Sequence, residues 1–333
     1  MAPVGAAGPD PFQDSFVAMA SARALISATR LGVIEALAEE PASADALAAE
    51  LGLDPVGVEA LLTALVALGY VADDSAGRHR LTEAGRRLAA ADARSVAAFV
   101  GAYGSRAWEM LGGLDRRLRG KPESDSHRHP PDDPFWDSYI RGMYELTREE
   151  HDRAIALLPN DEPATMLDLG GGHGGFAMAM CRRHAGLRAT VLDLAGSAEV
   201  GRRIVAENGL AERISFRAGD VVATEYGSGF DVVSAFNLLH HLPADDAREV
   251  LRRARGALRD GGILVVGETE RREPGEAASL NGAMSGLVYY VSSGVRNYTR
   301  GELDGWVREA GFAAPQVHRS ESAPWRLMFV ART

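Results

Sequence analysis

The chain reads as an α/β protein. A Rossmann-like sheet with a C-terminal antiparallel hairpin follows an α-helical, winged-helix N-terminal domain. Three observations predict this. Beyond residue 160, short apolar β-type runs alternate with helical patterns, which means a parallel sheet with right-handed crossovers. The first of those runs ends in five glycines within six residues, Gly170 to Gly175. The last two strands are joined only by Ser320–Pro324, too short for a crossover, so they must be antiparallel neighbours.

Composition sets the outer bounds. With 333 residues and 46% hydrophobic content, the chain can bury a sizeable core and hold two domains. A net charge of −10 argues against a nucleic-acid partner. No apolar run is long enough to span a bilayer, and no membrane partner is expected. The first residues lack the basic start and apolar core of a signal peptide. Residues 1–11 read as a disordered tail. The single cysteine, Cys181, rules out an internal disulfide and fits a reducing cytoplasm, where the chain is expected to act. It reads as a buried apolar side chain rather than a nucleophile.

Residues 12–105 are expected to form the winged-helix domain. A helix runs from Phe12 to about Glu40, with an apolar stripe through Phe16, Met19, Leu25, Ile26, Ile34 and Leu37. A short helix follows Ser43, a good N-cap. Asp54-Pro55 opens another, which Gly69 stops. Tyr70–Ala72 and His79–Thr82 flank a turn and read as a hairpin. Helix, turn, helix, hairpin invites a DNA-binding reading. Yet from Ala42 to Tyr70 there are four acids and no Lys or Arg. A recognition helix needs cations or amides for phosphates and bases, so packing against another subunit is the expected use.

Residues 106–159 read as connecting helices that roof the active site. Ser95 to about Arg119 is helical. Gly120–Pro134 is a polar loop whose His127-Arg-His129 is expected to be solvated. Pro134 opens a long helix to about Leu158 carrying Trp136, Tyr139 and Met143.

Residues 160–333 are the sheet domain. Strands are predicted at Thr165–Leu169, Arg188–Leu194, Ile214–Ala218, Phe230–Phe236 and Ile263–Val266, then Pro315–Arg319 and Trp325–Ala331. Helices are predicted at Ala198–Glu207, Asp245–Leu258 and Thr299–Gly311. Ligands of such sheets bind at the strand C-terminal ends. Asp168, Asp193, Asp220, Asn237, His240, His241 and Glu268 all fall there.

Strand, glycine turn and helix bring backbone N–H groups up to a nucleotide-like ligand. Gly170, Gly172 and Gly175 fit the dinucleotide spacing G-x-G-x-x-G. Gly170, Gly172 and Gly174 fit G-x-G-x-G, the spacing of S-adenosylmethionine enzymes. Asp168 favours the second, because an acid there serves a cationic amino end and repels a pyrophosphate. Asp220, a further strand-end acid, points the same way.

These motifs carry a resemblance over nearly the whole chain. Leu167-Asp-Leu-Gly-Gly-Gly-His-Gly-Gly175, Val191–Leu194, Ala218–Asp220, Phe230–Val233, Leu239-His240 and Gly294–Thr299 through Ala310–Phe312 occur in the order seen in class I S-adenosylmethionine-dependent methyltransferases. The chain resembles the caffeate/hydroxyindole O-methyltransferase family, including its bacterial natural-product members. The resemblance implies that the N-terminal domain makes a homodimer. It implies that Asp168, Gly170, Gly172 and Gly174 hold the methionine end of S-adenosylmethionine. Asp193 would take the ribose hydroxyls, Leu194, Asp220 and Val221 the adenine, with Asn237 also at the cofactor. His240 matches the general base and Glu268 the acid that orients it. The product would be S-adenosyl-L-homocysteine.

The sequence departs from the family where His-Asp-Trp becomes His240-His241-Leu242, where a second acid becomes Asn297, and where Asp-Leu-Pro becomes Asp193-Leu-Ala195. Adjacent residues in a strand or helix diverge, so His240 and His241 are not expected to face the substrate together. An acceptor pocket is expected between Trp136, Tyr139 and Met143 on the long helix and Asn281, Met284 and Val288 in the insert Glu276–Tyr298, with His241 and Asn297 beside it. No metal site is expected. The expected function is methyl transfer to a hydroxyl of a small aromatic metabolite. Transfer to carbon or nitrogen, a SAM-binding relative that no longer methylates, and a winged-helix regulator with a ligand-sensing domain are the alternatives.

Overall fold

The computed structural model describes residues 10–120, 127–159, 161–277, 279–321 and 323–333. Most of the expected N-terminal tail, and residues 121–126 of the polar loop, lie outside them. The chain forms two compact units, the first ending at Arg106 and the second starting at Ala107.

In the first unit, α1 (Pro11–Arg30) starts on Asp10, whose carboxylate accepts from the Phe12 amide at 3.0 Å. The single helix expected to Glu40 is two. Gly32 takes a left-handed conformation (φ 81°), which ends α1 and opens α2 (Val33–Glu39). Ser43 caps α3 (Ala44–Leu51) and Asp54 caps α4 (Pro55–Ala67), as their positions predict. Strands β1 (Val71–Asp73) and β2 (His79–Leu81) make the antiparallel hairpin. Then come α5 (Glu83–Arg86) and a π-helical turn, Ala98–Tyr103. Ile34, Leu47, Leu62 and Leu65 are fully buried in this unit's core. Helix α6 (Gly104–Gly112) spans the division between the units.

The second unit contains α7 (Leu114–Leu118) and α8 (Phe135–Ile155). Strand and helix then alternate: β3 (Thr165–Leu169), α9 (Gly175–Arg183), β4 (Arg188–Asp193), α10 (Ala195–Glu207), β5 (Ile214–Ala218) and β6 (Phe230–Phe236). A 3-10 turn (Leu239–His241), α11 (Ala244–Ala257), β7 (Leu258–Thr269), α12 (Leu280–Ser293), α13 (Arg300–Glu309), β8 (Gln316–Arg319) and β9 (Arg326–Arg332) complete it. The seven strands run in the order β5-β4-β3-β6-β7-β9-β8. The first five are parallel, and β9 enters antiparallel between β7 and β8.

Alternate residues of each strand bury into two cores, one per face. Met166, Val191, Val232 and Val265 share a core with residues of α8, α9 and α10. Leu167, Leu169, Val233 and Leu264 share the other with α11 and α13. Parity puts Asp168 and its register partner Ser234 on the α8–α10 face. Glu268 falls on the other.

Candidate active site

The glycine turn between β3 and α9 is built where side chains cannot go. Gly170, Gly172 and Gly174 alternate in the left-handed region at φ 62°, 51° and 69°, which strains any residue with a Cβ. Gly171 has an ordinary φ, but a Cβ there would lie 2.4 Å from Asp168 Oδ2.

Asp168 is 1% exposed. Its Oδ1 accepts from Ser234 Oγ at 2.5 Å, while the buried Oδ2 has no partner. Burial pushes its pKa up to about 7. The Ser234 hydroxyl and, to a smaller extent, the Ala177 amide oppose that shift, and neighbouring Asp193 adds to it. Asp193, at the tip of β4, accepts from the Gly172 amide through Oδ2 and the Leu194 amide through Oδ1, each at 2.7 Å. Burial raises its pKa too, against those two amides. Asp220, beyond β5, is exposed and accepts from the Val222 amide at 2.8 Å, and Val221 beside it is buried. Asn237, just past β6, is the one described non-glycine residue with positive φ (50°), and its amide donates to the Gly267 carbonyl.

A second cluster lies at the ends of β6 and β7. Glu268 is 3% exposed. Its Oε1 accepts from the amides of Leu238 (3.0 Å) and Leu239 (2.7 Å), and its Oε2 lies 2.6 Å from His240 Nδ1. An ionised carboxylate only accepts, so His240 Nδ1 carries the proton. In the neutral ring Nε2 is then bare and basic. Tyr289 of α12 stacks on His240, with centroids 3.7 Å apart and planes at 13°.

The two histidines do not diverge as expected. They lie on the 3-10 turn, and their rings approach to 4.2 Å. His241 Nδ1 meets Ser293 Oγ at 2.7 Å. Burial, with His240 and His127 alongside, holds His241 well below the usual imidazole range. His127 is not a solvated loop residue. It is half-buried, 4.3 Å from the His241 ring and 3.5 Å from Tyr139 Oη.

The α8 residues divide. Trp136 is buried over the first turn of α10, where a Cβ on Gly196 would be 2.2 Å from its indole, and its N–H donates to the Pro130 carbonyl at 2.9 Å. It therefore packs on the helix turn that follows Asp193 in the chain. Tyr139 stacks on Phe135 at 5.2 Å, and Met143 is half-buried a turn later. On α12, Asn281 and Met284 are exposed, while Val288 is half-buried next to Tyr289. Asn297 is buried; its amide donates to the Thr269 carbonyl at 3.4 Å, and its Oδ1 fills the space above Gly286.

Sequence reasoning missed the contributions of Ser234, Ser293 and His127. Only Ser234 carried a usable signal, a polar residue inside the apolar run Val232–Phe236. Among the described residues no group of three His, Cys, Asp or Glu side chains is arranged to hold a metal ion.

A parallel sheet with acids at successive strand tips and a glycine turn under the first defines the class I methyltransferase fold. Residues 139–317 match the family model described as a methyltransferase domain, and residues 14–91 match the O-methyltransferase dimerisation domain. The chain belongs to the S-adenosylmethionine-dependent O-methyltransferases. It is similar to 3-hydroxy-5-methyl-1-naphthoate 3-O-methyltransferase of Streptomyces sahachiroi, 26% identical and covering 90% of this chain and 88% of that protein. It is also similar to the N,N-dimethyltransferase OxyT of Streptomyces rimosus, at 27% identity over 90% of each chain. Human N-acetylserotonin methyltransferase, solved with S-adenosylmethionine, shares the fold with a TM-score of 0.84 at 20% identity, over 99% of each chain.

S-adenosylmethionine is thus the cofactor, and the residues present fit it. The unpartnered, buried Asp168 Oδ2 suits a cationic donor, which relieves the cost of burying a lone carboxylate oxygen.

Proposed function

We propose that the protein transfers a methyl group to a hydroxyl of a small aromatic secondary metabolite, with His240 as general base. The observation that carries this reading is the buried His240–Glu268 pair, which leaves His240 Nε2 bare. Bound S-adenosylmethionine supplies an electrophilic methyl group on a sulfonium. On this reading Asp168 and the turn glycines Gly170, Gly172 and Gly174 hold its amino-acid end. Asp193 takes the ribose diol, Leu194, Val221 and Asp220 border the adenine, and Asn237 completes the wall.

A phenol has a pKa of about 10, so at neutral pH it holds its proton. His240 Nε2 would take that proton as the methyl carbon passes to the phenol oxygen and its bond to sulfur breaks, leaving the thioether of S-adenosylhomocysteine. Glu268 stabilises the imidazolium through Nδ1–H, while the Leu238 and Leu239 amides hold its carboxyl in place through Oε1. Alignment supplies most of the remaining rate. Tyr139 and Met143 on α8 and Asn281, Met284 and Val288 on α12 would border the acceptor, with His241 and Asn297 at its edge. Trp136 would shape the cofactor side. Two copies would pair through the N-terminal domain.

The test uses labelled S-adenosylmethionine and a panel of hydroxynaphthoates and other phenols, with product mass and label position as readout. His240→Ala should lower kcat by roughly 10²–10⁴ and leave binding of S-adenosylhomocysteine intact. Full activity in that variant would exclude the base. Transfer to nitrogen is the second reading. It is favoured by the similarity to an N,N-dimethyltransferase, and label recovered on an amine would establish it.

A further inference from the structure

His173 stands among the turn glycines, yet the reading above gives it no task. Its ring is buried against α8. There the Thr147 hydroxyl donates to the Met143 carbonyl at 2.8 Å. A hydroxyl has one proton, so toward His173 Nε2, 3.2 Å away, Thr147 can only accept. Nε2 therefore carries the ring proton and Nδ1 is bare. Nδ1 indeed accepts, from the Gly175 amide at 2.9 Å. Both ends of the ring demand the same tautomer.

The Gly175 amide is the first of α9, one of the four that a helix leaves without an internal partner. Burial, with the His151 ring 5.6 Å away, pushes His173 down to about 3 and keeps it neutral. A Cβ on Gly175 would come within 2.7 Å of both imidazoles, so the backbone can approach the ring only because that residue is glycine.

We infer that His173 is a positioning residue for the cofactor, a tautomer-fixed brace that ties the glycine turn to Thr147 and so sets the affinity for S-adenosylmethionine. The inference rests on the reading of Gly170–Gly175 as the cofactor turn. The brace ends one helical turn from Met143, so it also joins the turn to the acceptor-side helix.

Calorimetric titration of the full chain with S-adenosylhomocysteine tests it, with circular dichroism to confirm folding. His173→Ala should weaken binding on the order of tenfold or more, the usual consequence of leaving a buried donor unpaired. His173→Asn, which keeps an acceptor near the Nδ1 position, should recover most of that loss. Thr147→Val keeps the shape and removes the acceptor for Nε2–H, so it should weaken binding several-fold. The double variant Thr147→Val/His173→Ala should bind no worse than His173→Ala, because both changes break one brace. Nitrogen-15 NMR of the complex should show His173 protonated on Nε2.

Unchanged affinity in a folded His173→Ala protein, additive losses in the double variant, or a proton on Nδ1 would each overturn the inference. Should His173→Ala not fold, Thr147→Val and the NMR signature decide alone. Gly172→Ala separates the two readings. If it leaves affinity untouched, the turn is not the cofactor loop; if it weakens binding while the His173 and Thr147 variants do not, only the brace fails.

Discussion

Asp168 is where the chemistry of a single residue shows most clearly. It is a carboxyl sealed from water, with one oxygen tied to Ser234 and the other unpartnered. Its pKa near 7 means that much of it is protonated at neutral pH when the site is empty. A cationic amino group beside Oδ2 would pull that pKa down, so binding should release a proton. The sign follows directly. Cofactor affinity is carried by the ionised form and is lost as pH falls through about 7, by up to roughly tenfold per unit. Titration of S-adenosylhomocysteine between pH 7.5 and 5.5, in buffers of differing ionisation enthalpy, should show weakening together with proton release. Asp168→Asn should abolish both the pH dependence and most of the affinity. Affinity that stays flat across that range would remove Asp168 from the cofactor's amino end.

At the scale of elements, packing at glycines is the feature to probe. Gly196, in the first turn of α10, lies directly beneath the Trp136 indole, and a Cβ there would sit 2.2 Å from the ring. Gly196→Ala should force α10 and the Asp193–Leu194 segment aside. Overpacking of this kind costs about 1–3 kcal/mol, so melting should fall by several degrees and affinity for S-adenosylhomocysteine should drop with it. An unchanged melting temperature would mean the indole can swing clear. Local chemistry explains why most elements were legible beforehand. Ser43, Asp54 and Thr299 cap their helices through interactions a few residues long, and Thr299 closes a capping box with Glu302. Asp168, Asp193 and Glu268 were legible because strand ends in a parallel sheet converge on one rim. What was hidden depends on distant partners. Nothing near Gly32 in sequence distinguishes a left-handed break from a tolerated helix glycine. The short link between β8 and β9 makes them neighbours, but only the tertiary fold decides that β9 joins β7. His127 sits in a polar, proline-rich stretch, and its place against His241 is set by residues more than a hundred positions away.

At the scale of the whole molecule, helix α1 leaves an apolar surface uncovered. Phe12, Phe16 and Met19 follow one another at spacings of four and three residues, so they line one helical face. They are 85%, 67% and 48% exposed, and Val17 beside them is 59% exposed. Leaving several such side chains in water forgoes about 1.5–3 kcal/mol for each large one that could be buried, and contiguous patches of this kind mark interaction sites. Two covers are physically open. No single described helix is long and apolar enough to cross a membrane, and α1 with α2 passes that test only as a pair bent by 61°. The other cover is a second copy of the chain, which the matched O-methyltransferase dimerisation domain over residues 14–91 favours. A symmetric dimer would use the same surface of both copies, so one substitution alters the interface twice. Phe16→Glu would bring two carboxylates into an apolar contact, a penalty of several kcal/mol against the association free energy. Analytical ultracentrifugation should therefore find the wild-type protein dimeric at micromolar concentration and the Phe16→Glu variant monomeric, with its helix content retained by circular dichroism. Wild-type protein that sediments as a monomer would remove the pairing, and a variant that stays dimeric would place the pairing surface elsewhere.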